Sequence, residues 1–409
     1  MSYNQEILPS AVLHWNYRGF TEFPIQKIQG EESTITDIYL KENLIANIPK
    51  DIYLFENLES LYLSGNDITE LPKEISRLRC LKCLDVSGNR LKRIPDEIGD
   101  ARNLKFLIFD ENELCEIPLR LSELRYLRYL SVCDNQLQWL PQKPVYNYHH
   151  CEFRFWRNSN LRSLPYSLWY HMFRDQQTRS LNIGCLSISN NKKTRRSICQ
   201  LKLTQDSREF DIFVDLPPNY KSVLNVENNS PPSLFEISKR IFYHMIDNSA
   251  KRLTQEPLSL YSNEIENINE NNNNLKSLEN EFDEININGS SNSVNNCKNE
   301  LRGTGKIENS KNYKRSKSFY APRDIIDICY DFLPAFIKTD LINGPISRCE
   351  NCICKKPIFD YVFCEFSLGK LILIDNTDDV ILSAVFCSKS CADLWKTRRQ
   401  TIPWTPAES

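Results

Sequence analysis

Apolar and polar residues alternate along the first part of the chain with a strict period of 23 residues. Each unit contains two apolar residues two positions apart, such as Leu61 and Leu63, and an asparagine three positions further on. Apolar residues two positions apart lie on the same face of a β-strand, so each unit predicts one short strand and a turn. The asparagines that mark the five regular units are Asn43, Asn66, Asn89, Asn112 and Asn135.

Each unit then reaches a proline, and the whole pattern resembles the leucine-rich repeat, LxxLxLxxNxL. A single unit cannot bury its apolar face, but stacked units can, which predicts a solenoid. Two degenerate units, at residues 13–24 and 153–165, flank the regular ones, as expected for the caps of such a stack. The resemblance implies an α/β leucine-rich-repeat solenoid of about 6–7 repeats within residues 1–190.

The strand residues that do not point into the core would line the concave face of this solenoid. Curved repeat surfaces commonly bind proteins, and exposed aromatic side chains beside charges favour binding. The alternative is that isolated exposed aromatic side chains have no function. The pattern predicts a protein-binding surface made of Tyr39, Tyr62, Asp85, Phe106, Ile108, Asp110, Tyr129, Arg154 and Trp156.

A strand and helix extension is predicted over residues 191–250, and its helix is amphipathic. The segment PPSLFEISKRIFYHMI, residues 231–246, places apolar residues at helical spacing on one face. Ser233 and Glu236 form a capping box, and prolines stand directly before it. One interpretation is that this apolar face packs against the C-terminal end of the solenoid.

The stretch SLFEISKRIF in the same helix also resembles the elongin-C-binding box of cullin ubiquitin-ligase receptors. Ser233 and Leu234 fit the first position and the leucine position of the box, Ser238 stands where the box has a cysteine, and Phe242 has the last apolar position. The pair Leu333-Pro334, with the apolar residues after it, resembles the cullin-facing helix that follows such a box. The resemblance implies elongin C and a cullin as partners.

The composition changes over residues 251–318, where asparagine, glutamate and serine are abundant. In residues 261–300, 14 of 40 positions are asparagine. Too few apolar side chains remain to offset the entropy lost on folding, so this insert is predicted to be disordered. Order is expected to resume in residues 319–409, as a helix followed by a cysteine-rich module.

Five cysteines near the C-terminus have the spacing of metal ligands. Cys349 and Cys352 form a C-x2-C knuckle, and Cys387 and Cys391 form a second pair at the start of a predicted helix. Four sulfur atoms in two pairs suit a tetrahedral structural zinc site in a small zinc-finger-like α+β module. The segment CKKPIF, which begins at Cys354, resembles the sequence after the second ligand of many knuckles. Cys354 is therefore a rival of Cys352.

Other interpretations of these cysteines remain open. Cys364 is a further candidate ligand, and similar spacings occur in redox dithiols and in buried thiols that bind nothing. If zinc holds the module together, its removal is expected to unfold residues 319–409 and to leave the repeats intact.

Composition and charge narrow the function classes. The formal net charge of −2 favours neither nucleic acid nor an anionic membrane as a partner. The N-terminus lacks a basic region and a continuous apolar core, so an export signal is not expected. No apolar run reaches the roughly 20 residues of a spanning helix. We expect a cytoplasmic protein, with the nucleus as the alternative, and in either compartment disulfides are rare.

Taken together, the motifs resemble one family over nearly the whole chain. Leucine-rich repeats, PPSLFEISKRIFYHM, FLPAFIKTDL, CENCICKKPIF and VFCSKSC occur in the order found in the leucine-rich-repeat-containing protein 28 group and its relatives of the number 58 type. The family implies an intracellular interaction protein without a known catalytic site. The asparagine-rich insert and Ser238 depart from the family pattern.

Two functions follow, and neither is enzymatic. The first is a substrate receptor of an elongin and cullin ubiquitin ligase, which binds a protein on the concave face. The alternative is a signalling scaffold for a small GTPase or a phosphatase, because segments such as Leu71-Pro72-Lys73-Glu74-Ile75 resemble the repeats of Ras- and polarity-associated scaffolds. No nucleophile with its base, phosphate-binding loop or open metal site is recognisable, so catalysis is not predicted.

Overall fold

The structure of the chain is a computed structural model. The residues that it describes are 11–28, 30–142, 151–174, 177–178, 183–184, 199–205, 208–225, 230–254, 323, 325–326, 330, 332–373, 377–397 and 399–407. Residues 255–318, which form nearly all of the predicted disordered insert, lie outside this part of the chain.

Seven short parallel strands form one continuous sheet, each paired with the next along the chain. This sheet confirms the predicted leucine-rich-repeat fold. Corresponding residues 23 positions apart are direct neighbours, as Leu61 and Leu84 are. The strands are β1 (Ala11–His14), β2 (Ile35–Tyr39), β3 (Ser60–Tyr62), β4 (Cys83–Asp85), β5 (Phe106–Ile108), β6 (Tyr129–Ser131) and β7 (Glu152–Arg154).

Short 3-10 helices return the chain between the strands. In the four regular repeats that end at Pro49, Pro72, Pro95 and Pro118, the helix starts directly after the proline, whose fixed φ suits the first position before a helical turn. The last apolar residue of the LPxxI segment, such as Ile75, is buried in the core. The 3-10 helices are Ile25–Lys27, Glu32–Thr34, Lys50–Leu54, Lys73–Arg77, Asp96–Asp100 and Leu119–Glu123.

The repeat asparagines form a hydrogen-bonded ladder inside the solenoid. The Asn89 Nδ2 atom donates to the carbonyl groups of Leu63, Val86 and Ser87 at 3.0–3.1 Å, and its Oδ1 atom accepts from the Ile68 N–H at 2.9 Å. Buried backbone groups need such partners because they have lost water. The same contacts recur at Asn66 and Asn112, and Asn158 makes them in the degenerate last repeat.

One residue in each repeat adopts a left-handed backbone conformation just before the asparagine. Glycine has this position in two repeats, where Gly65 and Gly88 have φ of 68° and 62°. Other repeats place residues with a Cβ atom there: Glu42, Glu111, Asp134 and Arg157 have φ between 53° and 57°. Because Cβ atoms disfavour this conformation, these positions are strained.

We expect Glu111→Gly to stabilise the repeats by about 0.5–1 kcal/mol, because relief of the left-handed strain exceeds the entropy that glycine loses on folding. Glu113→Gly is the matched control, since Glu113 has no positive φ and should lose about 0.5–1 kcal/mol. Urea denaturation of both variants measures the difference. A loss of stability in Glu111→Gly as large as in Glu113→Gly would contradict the expectation.

The C-terminal end of the solenoid is built from distant parts of the chain. After β7 come β8 (Leu164–Pro165), α1 (Tyr166–Met172) and β9 (Gln177–Thr178). The long hairpin of β15 (Tyr361–Leu373) and β16 (Thr377–Phe386) then pairs with them, β16 with β8 and β15 with β9. Leu371, Val380 and Leu382 of this hairpin belong to the same core as the repeats.

A second core surrounds the rest of this hairpin. It contains β10 (Cys199–Gln205), β11 (Arg208–Val214), β12 (Ser222–Leu224) and the residues after position 345. Strand β12 pairs with β15, and β10 lies between β11 and β18. The remaining elements are β13 (Ser347–Arg348), β14 (Pro357–Ile358), α4 (Lys389–Lys396), β17 (Thr401–Ile402) and β18 (Trp404–Pro406).

The chain forms two compact units. Residues 1–236 and 345–409 form one unit, and residues 237–344 form the other. The cysteine-rich residues therefore group with the repeats, because the β15–β16 hairpin pairs with β8 and β9. They do not group with the helix that precedes them.

Two helices organise the second unit. Helix α2 (Leu234–Thr254) begins in the first unit and runs through the second, and α3 (Ala335–Asn343) follows Pro334. Lys239 of α2 is buried, and its Nζ atom lies 3.1 Å from Oδ2 of Asp340 in α3. Among the described residues, no helix is long and apolar enough to span a lipid bilayer.

Candidate functional site

Four cysteine side chains form a compact cluster near the C-terminus. The Sγ atoms of Cys349, Cys354, Cys387 and Cys391 all lie within 4.8 Å of one another. The Cys354 Sγ atom is 3.4 Å from that of Cys387, and the Cys387 Sγ atom is 3.9 Å from that of Cys391. Cys349 and Cys387 are buried, and the other two are half-buried. A cluster of this kind can hold a metal ion.

A hairpin turn positions the first two of these cysteines. Strands β13 and β14 pair antiparallel on either side of the turn, and the Cys349 N–H donates to the Lys356 carbonyl at 2.9 Å. Within the turn the Asn351 carbonyl accepts from the N–H groups of Cys354 and Lys355. Lys355 has a φ of 45°, so the chain reverses there and brings Cys354 back towards Cys349.

The end of β16 and the start of α4 position the second pair. Cys387 directly follows β16, and Ser388 is the N-cap of α4, with its Oγ atom accepting from the Cys391 N–H at 3.3 Å. The Cys387 N–H is directed at the Cys349 Sγ atom at 3.5 Å. Backbone donors directed at sulfur stabilise a thiolate, which is the form that binds metals.

This geometry changes the expected ligand set by one residue. Cys352 is exposed and lies outside the cluster, and Cys354 has the place first expected for it. The physical reason is the length of the turn, which returns the chain beside Cys349 only at Cys354. The further candidate, Cys364, is buried in β15 opposite Val385 and also lies outside the cluster.

The cluster favours a negative charge at Cys354. Hydrogen bonds with the Cys349 and Cys387 thiols lower the pKa of Cys354 well below its usual range. The same hydrogen bond with Cys354 raises the pKa of Cys349, because Cys349 retains its proton while Cys354 carries the thiolate. A divalent cation would remove this sharing, since all four sulfur atoms would then be bound as thiolates.

The sulfur positions fit the dimensions of a tetrahedral zinc site. With zinc–sulfur bonds of about 2.3 Å, the sulfur atoms of a tetrahedron lie about 3.8 Å apart. The distances of 3.4 Å and 3.9 Å in the cluster lie on either side of this value. Four thiolates leave no open coordination position, which is the arrangement of a structural site and not of a catalytic one.

Stacked rings occupy the N-terminal end of the concave face. The His14 ring lies 4.9 Å from that of Tyr39, which lies 4.7 Å from that of Tyr62. The Lys41 Nζ atom is 4.8 Å from the Tyr62 ring centroid and 3.2 Å from Oδ2 of Asp85. Burial raises the pKa of the Tyr62 hydroxyl group, so this hydroxyl remains protonated. The rings of this group therefore stack on one another, and the Lys41 charge is paired with Asp85.

The other end of the concave face is more open. Phe106 and Arg154 are exposed, and the Arg154 guanidinium group lies 5.2 Å from the Tyr129 ring centroid. Arg154 also forms an ion pair with Glu152 at 2.6 Å. Six of the seven remaining residues expected on this surface are half-buried: Tyr39, Tyr62, Ile108, Asp110, Tyr129 and Trp156.

Two acidic residues expected on this surface have partners within the sheet. Asp85 is buried, and its Oδ1 atom accepts from the Ser87 Oγ atom at 2.7 Å. The Asp110 Oδ1 atom accepts from the Ser131 Oγ atom at 2.6 Å and from the Cys133 N–H at 2.7 Å. Burial raises the pKa of the Asp110 carboxyl group. The Asp110 carboxylate therefore joins its repeat to the next one.

Helix α2 carries several of its apolar side chains on the exposed side. Leu234 is 79% exposed, and Ile237, Ile241 and Met245 are also exposed, at spacings of three and four residues. Ser238 lies among them and is exposed as well. The buried side chains described in this helix are Glu236, Lys239, Arg240, Tyr243, Ile246, Asp247 and Ala250. This apolar face is therefore not the packing surface that the periodicity alone suggests.

The first turn of α2 explains this orientation. The Ser233 Oγ atom accepts from the Glu236 N–H at 3.1 Å, which is the predicted N-cap. In a capping box the Glu236 carboxylate would accept from the N-cap backbone. Here it accepts from the N–H groups of Phe359 and Asp360 at 3.0 Å and 3.3 Å. The sequence does not indicate this role, because both acceptor contacts join residues more than 120 positions apart.

The segment that resembles a cullin-facing helix also has exposed apolar side chains. Phe332 is 77% exposed, and Phe336, in the first turn of α3, is exposed too. Leu333 is half-buried and Pro334 is exposed. Within the same unit, the Phe242 ring of α2 packs edge-on against that of Tyr330 at 5.0 Å. The last position of the elongin-type box is therefore partly covered, whereas Leu234 and Ser238 are exposed.

Comparison with known proteins identifies the repeats. A family model described as a leucine-rich repeat region matches residues 40–145. A leucine-rich-repeat protein of Leptospira interrogans is 29% identical over 33% of this chain and 34% of its own, with a TM-score of 0.28. An internalin of Listeria monocytogenes is 27% identical over 26% of this chain and 30% of its own, with a TM-score of 0.24. The comparison with curated proteins gave no match.

The leucine-rich-repeat domain of APL1B is a further similar structure, 22% identical over 39% of this chain and 52% of its own, with a TM-score of 0.31. The chain thus spans about a third to a half of these solved structures. Leucine-rich-repeat regions generally mediate protein–protein interactions and are typically not catalytic. The matched part of this chain, residues 40–145, is a region of this kind.

Proposed function

We propose that this protein is a substrate receptor of a cullin ubiquitin ligase, which binds elongin C through α2 and a substrate protein through the repeats. The observation that carries the proposal is that α2 exposes an apolar face whose residues have the spacing of an elongin-type box. Leu234 and Ser238 have the leucine and the cysteine positions of that box, and Ile241 extends the same face. We place its action in the cytoplasm, with the nucleus as the alternative.

Exposed apolar residues at this spacing suit a helix that binds in a groove. Groove-binding helices commonly use anchors at positions i, i+3, i+4 and i+7, and Leu234, Ile237, Ser238 and Ile241 have this spacing. Burial of a leucine side chain contributes about 1.5–3 kcal/mol, so Leu234 is a strong candidate anchor. Exposure of several such side chains on one face is unfavourable in isolation, which supports a partner that covers them.

The exposed Phe332 and Phe336, on either side of Pro334, support a second contact in the same proposal. Because the cullin-facing segment of such receptors follows the elongin box, we assign these side chains to the cullin. The order of motifs also supports kinship with the leucine-rich-repeat-containing protein 28 group and the number 58 type. The repeat match alone does not support this kinship.

The concave face would hold the substrate protein. Its open half contains the exposed Phe106 and Arg154 beside the half-buried Tyr129 and Trp156. Aromatic and arginine side chains dominate the binding energy of many protein interfaces. The scaffold alternative for a small GTPase or a phosphatase uses the same surface, but it gives no role to the exposed face of α2.

We further propose that the four-cysteine cluster holds a structural zinc ion. Cys349, Cys354, Cys387 and Cys391 would be its ligands, and the ion would join the β13–β14 turn to the start of α4. The fit of the sulfur distances and the absence of histidine from the cluster support this assignment. Its function would be to fix the fold, since four thiolates leave no position for a substrate.

We expect Leu234→Asp to weaken binding of the purified chain to elongin B/C by at least about 100-fold. The substitution removes an apolar anchor and places a carboxylate in an apolar groove, each costing about 1.5–3 kcal/mol. Isothermal titration calorimetry measures the affinity. The matched control is Leu44→Asp, because Leu44 is also exposed but lies in the repeats, and it should bind as the wild type does.

A second substitution tests the box through a gain of affinity. Ser238→Cys restores the residue that the elongin box has, and removal of a hydroxyl group from an apolar contact should tighten binding by about 3- to 30-fold. The proposal fails if the wild-type chain does not bind elongin B/C, or if Leu234→Asp and Leu44→Asp bind equally well.

A further inference from the structure

Basic residues recur at two positions of three consecutive repeats. Lys82, Lys105 and Arg128 each stand directly before a strand of the sheet, β4, β5 and β6. A second row lies three residues earlier in each repeat. We call these six residues the basic rim, since they lie where the chain enters the concave sheet: Arg79, Lys82, Arg102, Lys105, Arg125 and Arg128.

Backbone hydrogen bonds place the residues of the first row side by side. The Lys105 N–H donates to the Lys82 carbonyl at 2.8 Å, and the Arg128 N–H donates to the Lys105 carbonyl at 2.8 Å. Neighbouring strands lie about 4.8 Å apart, so the three side chains span roughly 10 Å along the solenoid. The row is thus a fixed feature of the fold.

The charges of this row are only partly balanced within the chain. The Lys82 Nζ atom forms an ion pair with Glu59 at 2.5 Å. Lys105 and Arg128 are exposed, and neither forms an ion pair with another of the described residues. Like charges on neighbouring strands destabilise a sheet, so this row does not stabilise the repeats. A negatively charged partner would remove the repulsion.

Exposed aromatic side chains alternate with these charges. Phe106 follows Lys105 directly, and Tyr126 lies between Arg125 and Arg128 in sequence. Both rings are exposed, at 44% for Phe106 and 49% for Tyr126. Lysine and arginine bind carboxylates through charge-assisted hydrogen bonds, and aromatic rings bury apolar groups. The surface therefore combines charge with apolar contacts.

We propose that the basic rim binds an acidic segment of the substrate protein, in which carboxylates flank an apolar or aromatic residue. The carboxylates would pair with Lys105 and Arg128, and the apolar residue would contact Phe106 and Tyr126. A span of roughly 10 Å suits two or three acidic side chains of a peptide. A nucleic-acid strand would instead need a basic track over many nucleotides.

This inference deepens the proposed function, because it names the class of segment that the repeats would recognise. It rests on the repeats as the substrate-binding surface and does not depend on elongin. A separate measurement of elongin B/C binding therefore distinguishes the two. Loss of one kind of binding without the other identifies which proposal fails.

The test uses the full chain and three fluorescein-labelled nine-residue peptides with a central tryptophan. In the acidic peptide, alternating Asp and Glu residues flank the tryptophan. The neutral peptide has Ser and Asn at these positions, and the basic peptide has Lys. Fluorescence polarisation should show at least about tenfold tighter binding of the acidic peptide than of the neutral one, with an affinity that falls as salt is added. A labelled 20-nucleotide uridine RNA is the competing probe.

Charge reversal provides the decisive variant. Lys105→Glu/Arg128→Glu should lose at least about tenfold affinity for the acidic peptide and gain affinity for the basic one. The control, Lys73→Glu/Arg93→Glu, makes the same change in net charge at residues outside the rim and should leave both affinities within about twofold. Urea denaturation with the wild-type midpoint in both variants confirms that their repeats fold.

Two results would overturn the proposal. The first is equal binding of the acidic and neutral peptides, or equal losses in the rim and control variants. The second is tighter binding of the RNA than of the acidic peptide with loss in the rim variant, which would assign the surface to a nucleic acid.

Discussion

Replacing Cys354 by serine is expected to weaken zinc binding by about 100-fold, whereas Cys352→Ser should leave it unchanged. Structural zinc contributes about 10–16 kcal/mol in small domains, and loss of one ligand in four removes roughly a quarter of this, near 3 kcal/mol. The two cysteines are two positions apart, but only Cys354 has its Sγ atom in the cluster. They therefore form a matched pair of variants.

Native mass spectrometry of the full chain under reducing conditions gives the number of bound zinc ions. Competition with a zinc-binding dye gives the affinity. Zinc loss in Cys352→Ser but not in Cys354→Ser would show that the C-x2-C spacing predicts the ligands better than the hairpin geometry does. A zinc-free wild-type chain would reject the metal itself.

Loss of the metal should also affect more of the chain than the cysteine-rich residues. The β15–β16 hairpin shares its core with the repeats through Leu371 and Leu382, and β16 pairs with β8. Hydrogen exchange after chelation should therefore increase in β8 and α1 as well as in α4, while β2 to β4 stay protected. The sequence-based expectation, that all the repeats would remain intact, treats the cysteine-rich residues as a separate module.

Asn89→Ala is expected to destabilise the repeats by roughly 3–5 kcal/mol. The substitution leaves several backbone groups without a partner in the core, and each unsatisfied buried group costs about 1–3 kcal/mol. The Ile68 N–H loses its acceptor, and the Leu63 and Val86 carbonyl groups lose a donor. Because Asn89 lies in a central repeat, the defect would divide the stack into two shorter ones.

The matched control is Asn103→Ala, which removes the same side chain from an exposed position. Asn103 makes one hydrogen bond, from its Nδ2 atom to the Arg79 carbonyl at 2.6 Å. It should cost about 0.5–1.5 kcal/mol. Hydrogen exchange at Ile68 and its neighbours measures both variants, and similar losses of protection in the two would contradict a special role of the asparagine ladder.

The repeats could be predicted from the sequence because their information is local and repeated. The spacing of Asn66 and Asn89 fixes the period, and the apolar pair before each asparagine fixes which strand residues enter the core. The structure has the same register, with Leu61 beside Leu84. The end of the last repeat follows the same rule, since Asn158 makes the ladder contacts despite an inserted residue.

The membership of the four-cysteine cluster could be predicted only in part. The strand before Cys387, the Ser388 cap and the helix that carries Cys391 all follow from local sequence. The choice between Cys352 and Cys354 does not follow from local sequence, because it depends on where the chain reverses in the β13–β14 turn. That reversal at Lys355 is a property of strand pairing and of one left-handed residue.

The orientation of α2 was beyond sequence reasoning for a different reason. An amphipathic pattern shows that a helix has two faces, but not which face meets the protein. Here the polar face is buried because Glu236 and Lys239 have specific partners in Phe359 and Asp340. Both partners are more than 100 positions away in sequence.

The pairing of β16 with β8 has a consequence for the newly made chain. The Ser383 Oγ atom donates to the Leu164 carbonyl, and 219 residues separate the two. At about 5–20 residues per second, a ribosome needs roughly 10–40 s to add them. During that time the last repeat has emerged while the strand that covers it has not been made, so its apolar end would be a target for chaperones.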